Sequence, residues 1–137
     1  MRPLLALIAL VLLLPGCGGS DPVEAADGVV RLRIDEYRIL PREIHVRGDQ
    51  VRIIMTDAGI LTHNVKVFST TEFDAEDKPI MIGDGTPTAH PGETVSSKVM
   101  TLAPGRYRLA CSIANHDDLG EHGQLIVGRT GGGGGES

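Results

Sequence analysis

Apolar residues recur at every second position in short runs along most of this chain, and no segment holds a helical period over ten or more residues. Val30, Leu32 and Ile34 alternate with Arg31, Arg33 and Asp35, and Ile44 and Val46 alternate with Glu43, His45 and Arg47. Successive side chains of a strand point to opposite faces, so such a run buries one face and wets the other. Val51 to Met55 is apolar throughout except for Arg52, Val65 and Val67 alternate again, and Val95, Val99 and Leu102 do so less tidily. Tyr107, Leu109 and Cys111 share one face of a further strand, and Leu125 to Val127 supplies the last. Pro41, Gly48-Asp49, Pro104-Gly105 and Gly123 punctuate these pieces. Short strands broken by turn residues predict an all-β sandwich, over residues 29–129, and 137 residues suffice for one domain and not two.

Ser69 to Gly92 departs from the pattern. It carries Asp74, Glu76 and Asp77, the run Gly83-Asp84-Gly85, and prolines at 79, 87 and 91. A loop of this length without structure is uncommon in a compact domain. A short helix near Glu72 to Asp77 and an edge strand at Ile80-Met81-Ile82 are therefore expected. The acidic spacing is not that of an EF-hand, so a solvated surface loop is the better reading than a calcium site.

Composition excludes several functions. Thirteen Lys and Arg against eighteen Asp and Glu leave a net charge of −5 with no basic patch evident along the chain. Nucleic-acid binding, which needs a basic surface to displace counterions, is thus not expected.

The N-terminus reads as an address. Met1-Arg2-Pro3 precedes an unbroken apolar run, Leu4 to Leu14, which is too short for a membrane-spanning helix of about 20 residues but has the length of a signal-peptide core. The run ends in Leu14-Pro15-Gly16-Cys17, followed by Gly18-Gly19-Ser20. These residues resemble a bacterial lipoprotein signal, which implies removal of residues 1–16, lipidation of Cys17, and an extracytoplasmic, membrane-anchored protein. Residues 17–28 then read as a flexible tether and 130–137, mostly glycine, as a disordered tail. With Cys17 lipidated, Cys111 is left alone in an oxidising compartment. Metal ligation is the leading explanation for such a thiol, a buried inert cysteine the alternative.

Cys111 and His116 stand in one loop with four residues between them, and His63 lies at the head of a predicted strand. One soft thiolate with two imidazoles favours copper or zinc. The phrases around these residues resemble those of the cupredoxins, the small blue copper proteins. They are Pro41-x-x-Ile44-x-Val46-x-x-Gly48-Asp49-x-Val51, His63-Asn64-Val65, Leu102-x-Pro104-Gly105-x-Tyr107-x-Leu109-x-Cys111, and His116-x-x-x-x-Glu121-x-Gly123-x-Leu125-x-Val127. The resemblance covers about residues 29 to 128 and implies a Greek-key β-sandwich holding one copper ion. It further implies His63, Cys111 and His116 as equatorial ligands, with Asn64 and Ser112 bracing the two ligand-bearing segments.

The fourth position departs from the family. Its usual axial methionine, two residues before the closing glycine, is here Glu121, with His122 as the rival if the loop is read one residue differently. A bound carboxylate would favour Cu(II) over Cu(I) and would make zinc a possible occupant. The resemblance implies one-electron transfer with a redox protein partner rather than catalysis. A copper buffer or delivery protein, or an open-site copper enzyme, are the alternatives. His45 should face solvent, His90 should be exposed, Tyr107 should be a core or corner residue, and Asp117-Asp118 should form a polar loop tip.

Overall fold

The computed structural model describes residues 21–128. The signal segment 1–16, Cys17, the start of the tether and the glycine-rich tail 130–137 lie outside the described residues.

The alternating segments become strands where expected. They are β2 (Val29–Asp35), β4 (Glu43–Val46), β5 (Gln50–Asp57), β6 (Lys66–Phe73), β8 (Thr94–Ser96), β10 (Gly105–Ala110) and β11 (His122–Val127). Four shorter strands complete the set: β1 (Val23–Ala25), β3 (Arg38–Leu40), β7 (Pro79–Met81) and β9 (Met100–Thr101). One sheet runs β1-β4-β11-β10-β6-β7, the other β3-β2-β5-β8, with β9 on β5. Both sheets are mixed, β2 lying parallel to β5 and β4 parallel to β11. No helix occurs among the described residues.

The core lies between the sheets. Val30, Ile34, Ile53 and Met55 from one sheet and Ile44, Val67, Leu109 and Leu125 from the other belong to a single buried cluster. These are the inward members of the sequence alternation. Ile53 is fully buried at the middle of β5. Ile53→Ala is expected to cost about 2–5 kcal/mol, read as a lowered urea midpoint at unchanged slope.

Three segments differ from expectation. Val23–Ala25 falls in the stretch read as tether, yet it pairs with β4 in parallel, and Ala25 is buried against the core. Arg38–Leu40 was not singled out by periodicity, being too short to show one, but it edges β2 and buries Ile39 completely. No helix forms at 72–77. Instead β6 continues to Phe73 and turns back into β7, the expected edge strand. Asp74 decides this: its Oδ1 accepts the backbone N–H groups of Glu76 and Lys78, and Asp77 takes φ 61°. An aspartate that satisfies its own downstream amides favours a turn over a helix. Val99, expected to alternate inward, is exposed between β8 and β9.

Tyr107 is a corner residue, its hydroxyl donating to the carbonyl of Ala103 at 2.7 Å. His45 points away from the core but is half-buried between Glu24 and Glu43 rather than freely solvated, whereas His90 is exposed.

Candidate metal centre

Four potential donors converge at one end of the sandwich. His63, Cys111, His116 and Glu121 each offer an atom, and these atoms all lie within 4.8 Å of one another. All four residues are buried, Glu121 and His63 completely, while His116 keeps 7% of its surface exposed.

Each donor is held by its backbone. The loop before β6 carries His63, whose N–H and carbonyl both bond to Ala89. Val65, two residues on, is fastened to Thr86 through its amide and carbonyl. Cys111 follows β10 directly, and its N–H donates to the carbonyl of Glu121 across the mouth of the loop. His116 N–H donates to Ile113, and Glu121 N–H donates to His116. The 112–121 loop is thus closed on itself, with Ala114 at φ 47° where the chain reverses.

Strand alternation decides between Glu121 and His122. Glu121 points inward to the donors, His122 begins β11 on the outer side, and Gly123 is buried again. The closing glycine is required by packing, because a Cβ there would lie 2.8 Å from the Arg42 carbonyl oxygen.

The donor atoms face one another rather than other partners. His63 Nδ1 lies 2.6 Å from Glu121 Oε1, His116 Nδ1 lies 3.4 Å from Glu121 Oε2, and Cys111 Sγ lies 3.7 Å from His116 Nδ1. His63 Nδ1 and both Glu121 oxygens are nevertheless buried without a hydrogen bond of acceptable geometry. Orphaned buried polar atoms are costly, and a cation at their common focus removes the cost. One thiolate, two imidazoles and a carboxylate suit Cu or Zn(II), so the residues present fit the metal.

Burial shifts these groups toward their neutral forms. It pushes the Glu121 carboxyl up to about 7, against the opposing pull of His63 and Cys111. It raises the Cys111 thiol above its ordinary range, and burial, followed by the neighbouring His63, lowers His116. A metal ion held by these residues would have to displace protons from the carboxyl and the thiol.

Asn64 and Ser112 link the segment that carries His63 to the one that carries Cys111. Ser112 N–H donates to Asn64 Oδ1 at 2.9 Å, and Asn64 Nδ2 donates to Ser112 Oγ at 3.1 Å. Asn64→Ala is expected to destabilise the fold by about 1–2 kcal/mol, since it strands the Ser112 amide. It should also speed metal release, measured with a chromogenic chelator.

Glu36 and Tyr37 had no signal in the sequence. They sit between β2 and β3, and no spacing ties them to the motif residues. Glu36 Oε1 lies 2.9 Å from His63 Nε2, and the Tyr37 ring packs on His116 with centroids 5.1 Å apart. The bond to His63, and then the amides of Leu61 and Ile60, hold the Glu36 carboxyl down at about 2 despite partial burial.

The fold also gathers charges that are scattered in sequence. Arg42, Arg106, Arg108 and His122 line an open groove of about 500 Å³ on the outer face of the six-stranded sheet. Arg108 is ion-paired with Asp117, which is therefore not a free loop tip, and Arg106 donates to Gln124. None of the four donors lines this groove.

No protein-family model matches the chain, and no curated protein does. Solved structures do. A dithionite-reduced auracyanin from Roseiflexus castenholzii superposes with TM-score 0.62 at 17% identity, covering 76% of this chain and 99% of that one. Auracyanin A of Chloroflexus aurantiacus, described as a "blue" copper protein, gives 0.58 at 21% identity, with 78% and 99% covered. A purple cupredoxin from Nitrosopumilus maritimus gives 0.51 at 17%, with 72% and 98% covered. Nearly the whole length of each of these proteins is thus accounted for by two sheets that this chain builds from its own alternating segments. The chain therefore has the cupredoxin fold.

Proposed function

We propose that His63, Cys111, His116 and Glu121 hold one copper ion per chain and that the protein carries single electrons to and from a redox protein partner. The observation that carries this reading is the set of buried donors, with His63 Nδ1 and both Glu121 oxygens left without hydrogen bonds. When bound, copper supplies a one-electron Cu(II)/Cu(I) couple. The chain's own part is to keep the donors still. His63 is clamped to Ala89, Cys111 to Glu121, and Ser112 to Asn64, so little need move when the charge changes.

Burial favours a carrier over the alternatives. A buffer must release its ion readily, and an enzyme needs a position open to substrate. Here His116 alone among the donors keeps more than a few per cent of its surface in contact with solvent. Exposed Leu119 stands three residues beyond His116, and exposed Ile60 and Leu61 precede His63, apolar side chains suited to a transient protein partner. The Glu121 carboxylate also suits Zn(II), which remains the second reading for the ion.

We place the protein outside the cytoplasm, anchored through a lipid on Cys17. The support is the Leu4–Leu14 run and the Leu14-Pro15-Gly16-Cys17 junction. Among the described residues no helix is long and apolar enough to cross a membrane. Loss of membrane association in Cys17→Ser, judged by cell fractionation, tests the anchor.

For the metal, Cu(II) titration of the metal-free protein is expected to give an intense visible band saturating at one ion per chain. Reduction and reoxidation should then leave the copper content unchanged. A colourless zinc protein, or copper lost on reduction, would overturn the carrier reading.

A further inference from the structure

We propose that Glu36 is the positioning residue of this centre: it fixes the His63 ring with Nδ1 directed at the metal and sets a negative charge behind that ligand. The proposal rests on the copper reading and deepens it by naming a group outside the donor set.

A single oxygen does the holding. Glu36 Oε1 accepts from the backbone N–H groups of Ile60 at 2.9 Å and Leu61 at 2.8 Å, and from His63 Nε2 at 2.9 Å. The loop is shaped to receive it. Asp57 Oδ1 accepts the Gly59 N–H, and a Cβ on Gly59 would come within 2.4 Å of Glu36 Oε1 and 2.7 Å of Oε2. The seat therefore needs glycine for lack of room.

The consequence for His63 follows from donor and acceptor roles. A carboxylate oxygen can only accept, so Nε2 must carry the ring proton, and in a neutral imidazole Nδ1 is then left with its lone pair. That lone pair faces Glu121, Cys111 and His116. Without Glu36 the proton is free to move to Nδ1, where it would find Glu121 Oε1 at 2.6 Å. His63 and Glu121 would then satisfy each other, and a metal would have to break that bond to enter. Glu36 thus keeps a lone pair, rather than an N–H, on the His63 nitrogen that faces the other donors.

Three substitutions separate position from charge. Glu36→Gln can keep its oxygen in the same seat, so it removes the charge alone. Glu36→Ala removes both charge and contact, and Gly59→Ala displaces the carboxylate while keeping its charge. Glu36→Ala and Gly59→Ala are expected to weaken Zn(II) and Cu(II) binding by about 10- to 100-fold, the usual effect of losing such a partner. Glu36→Gln should bind within a few-fold of the parent, with its copper reduction potential raised.

The tautomer supplies a readout that needs neither copper nor a variant. Long-range ¹H–¹⁵N NMR of the metal-free protein should show His63 protonated at Nε2. Finding the proton on Nδ1 overturns the proposal, even if every variant fails to fold. So do folded Glu36→Ala and Gly59→Ala proteins that bind Zn(II) like the parent. A parent that shows the Nε2 tautomer and binds Zn(II) but gives no copper band refutes the copper reading instead, and leaves the placement of His63 by Glu36 standing.

Discussion

Cys111→Ser is expected to abolish the visible band of the copper-loaded protein and to lower copper affinity by more than about 100-fold, beyond the cost of losing a bracing residue. Serine is nearly isosteric, so the β10 backbone and its bond to Glu121 should survive. What disappears is the soft, polarisable donor. A hydroxyl does not ionise in this buried position and favours neither Cu(I) nor charge transfer to Cu(II). The metal-free protein should suffer less, by about 1–3 kcal/mol, for burying a hydroxyl in a position where His116 Nδ1 lies 3.7 Å from the sulfur. Spectra with a metal count, alongside urea unfolding, separate the two effects. A substituted protein that keeps the band would place the chromophore elsewhere.

Glu121→Met should have opposite effects on the metal-free and copper-loaded proteins. In the folded chain burial raises the Glu121 carboxyl to about 7 from an ordinary 4.5. The folded state therefore holds this proton more tightly than the unfolded state. The stability linked to it is present in full below about 4.5 and is lost as pH rises to about 7. Above that range a buried carboxylate without hydrogen bonds works against the fold. Methionine removes the charge at similar length, so at pH about 8 the metal-free protein should gain about 1–3 kcal/mol, and less at pH about 5. Urea midpoints at the two pH values provide the measurement, and equal midpoints for parent and variant would refute it. With copper bound the sign reverses. Loss of the hard anionic donor should weaken Cu(II) binding relative to Cu(I) and raise the reduction potential. Copper affinity of the parent should itself rise with pH through about 7, because the ion must displace the Glu121 proton.

The Arg108–Asp117 pair belongs to neither experiment but is close to both. It ties β10 to the residue after His116, at the edge of the basic groove. Both side chains are more than a third exposed, so its contribution to stability should be small.

Much of this architecture could be read from local pattern. The alternation in residues 29–35 and 43–47 reports which side of each strand faces the core, and burial follows it residue by residue, whereas β10 becomes buried on both faces from Leu109 to Ala110. The spacing of Cys111 and His116, with His63-Asn64 before them, was enough to bring together a thiol, two imidazoles and the asparagine that bridges them. Those features are local because a strand's faces and a short loop's reach are set by neighbours in the chain.

Other features needed the closed sandwich. Glu121 and His122 differ by one position, and only the register of β11 against β10, with Ala110 opposite His122, sends the carboxylate inward. Val23–Ala25 looks like linker until β4 offers it an open edge. The groove arginines come from β10 and the turn before β4, separated by more than sixty positions but adjacent across the sheet. Glu36 reaches His63 over 27 residues because β2 and β5 lie parallel, which brings the loops after both strands to one end of the molecule. The sequence by itself therefore determined the main strands, the inward faces of β2 and β4, and three of the four converging donors. The fourth donor's direction, the carboxylate behind His63 and the charged outer face were decided by tertiary structure, since each depends on which strands become neighbours and in what register.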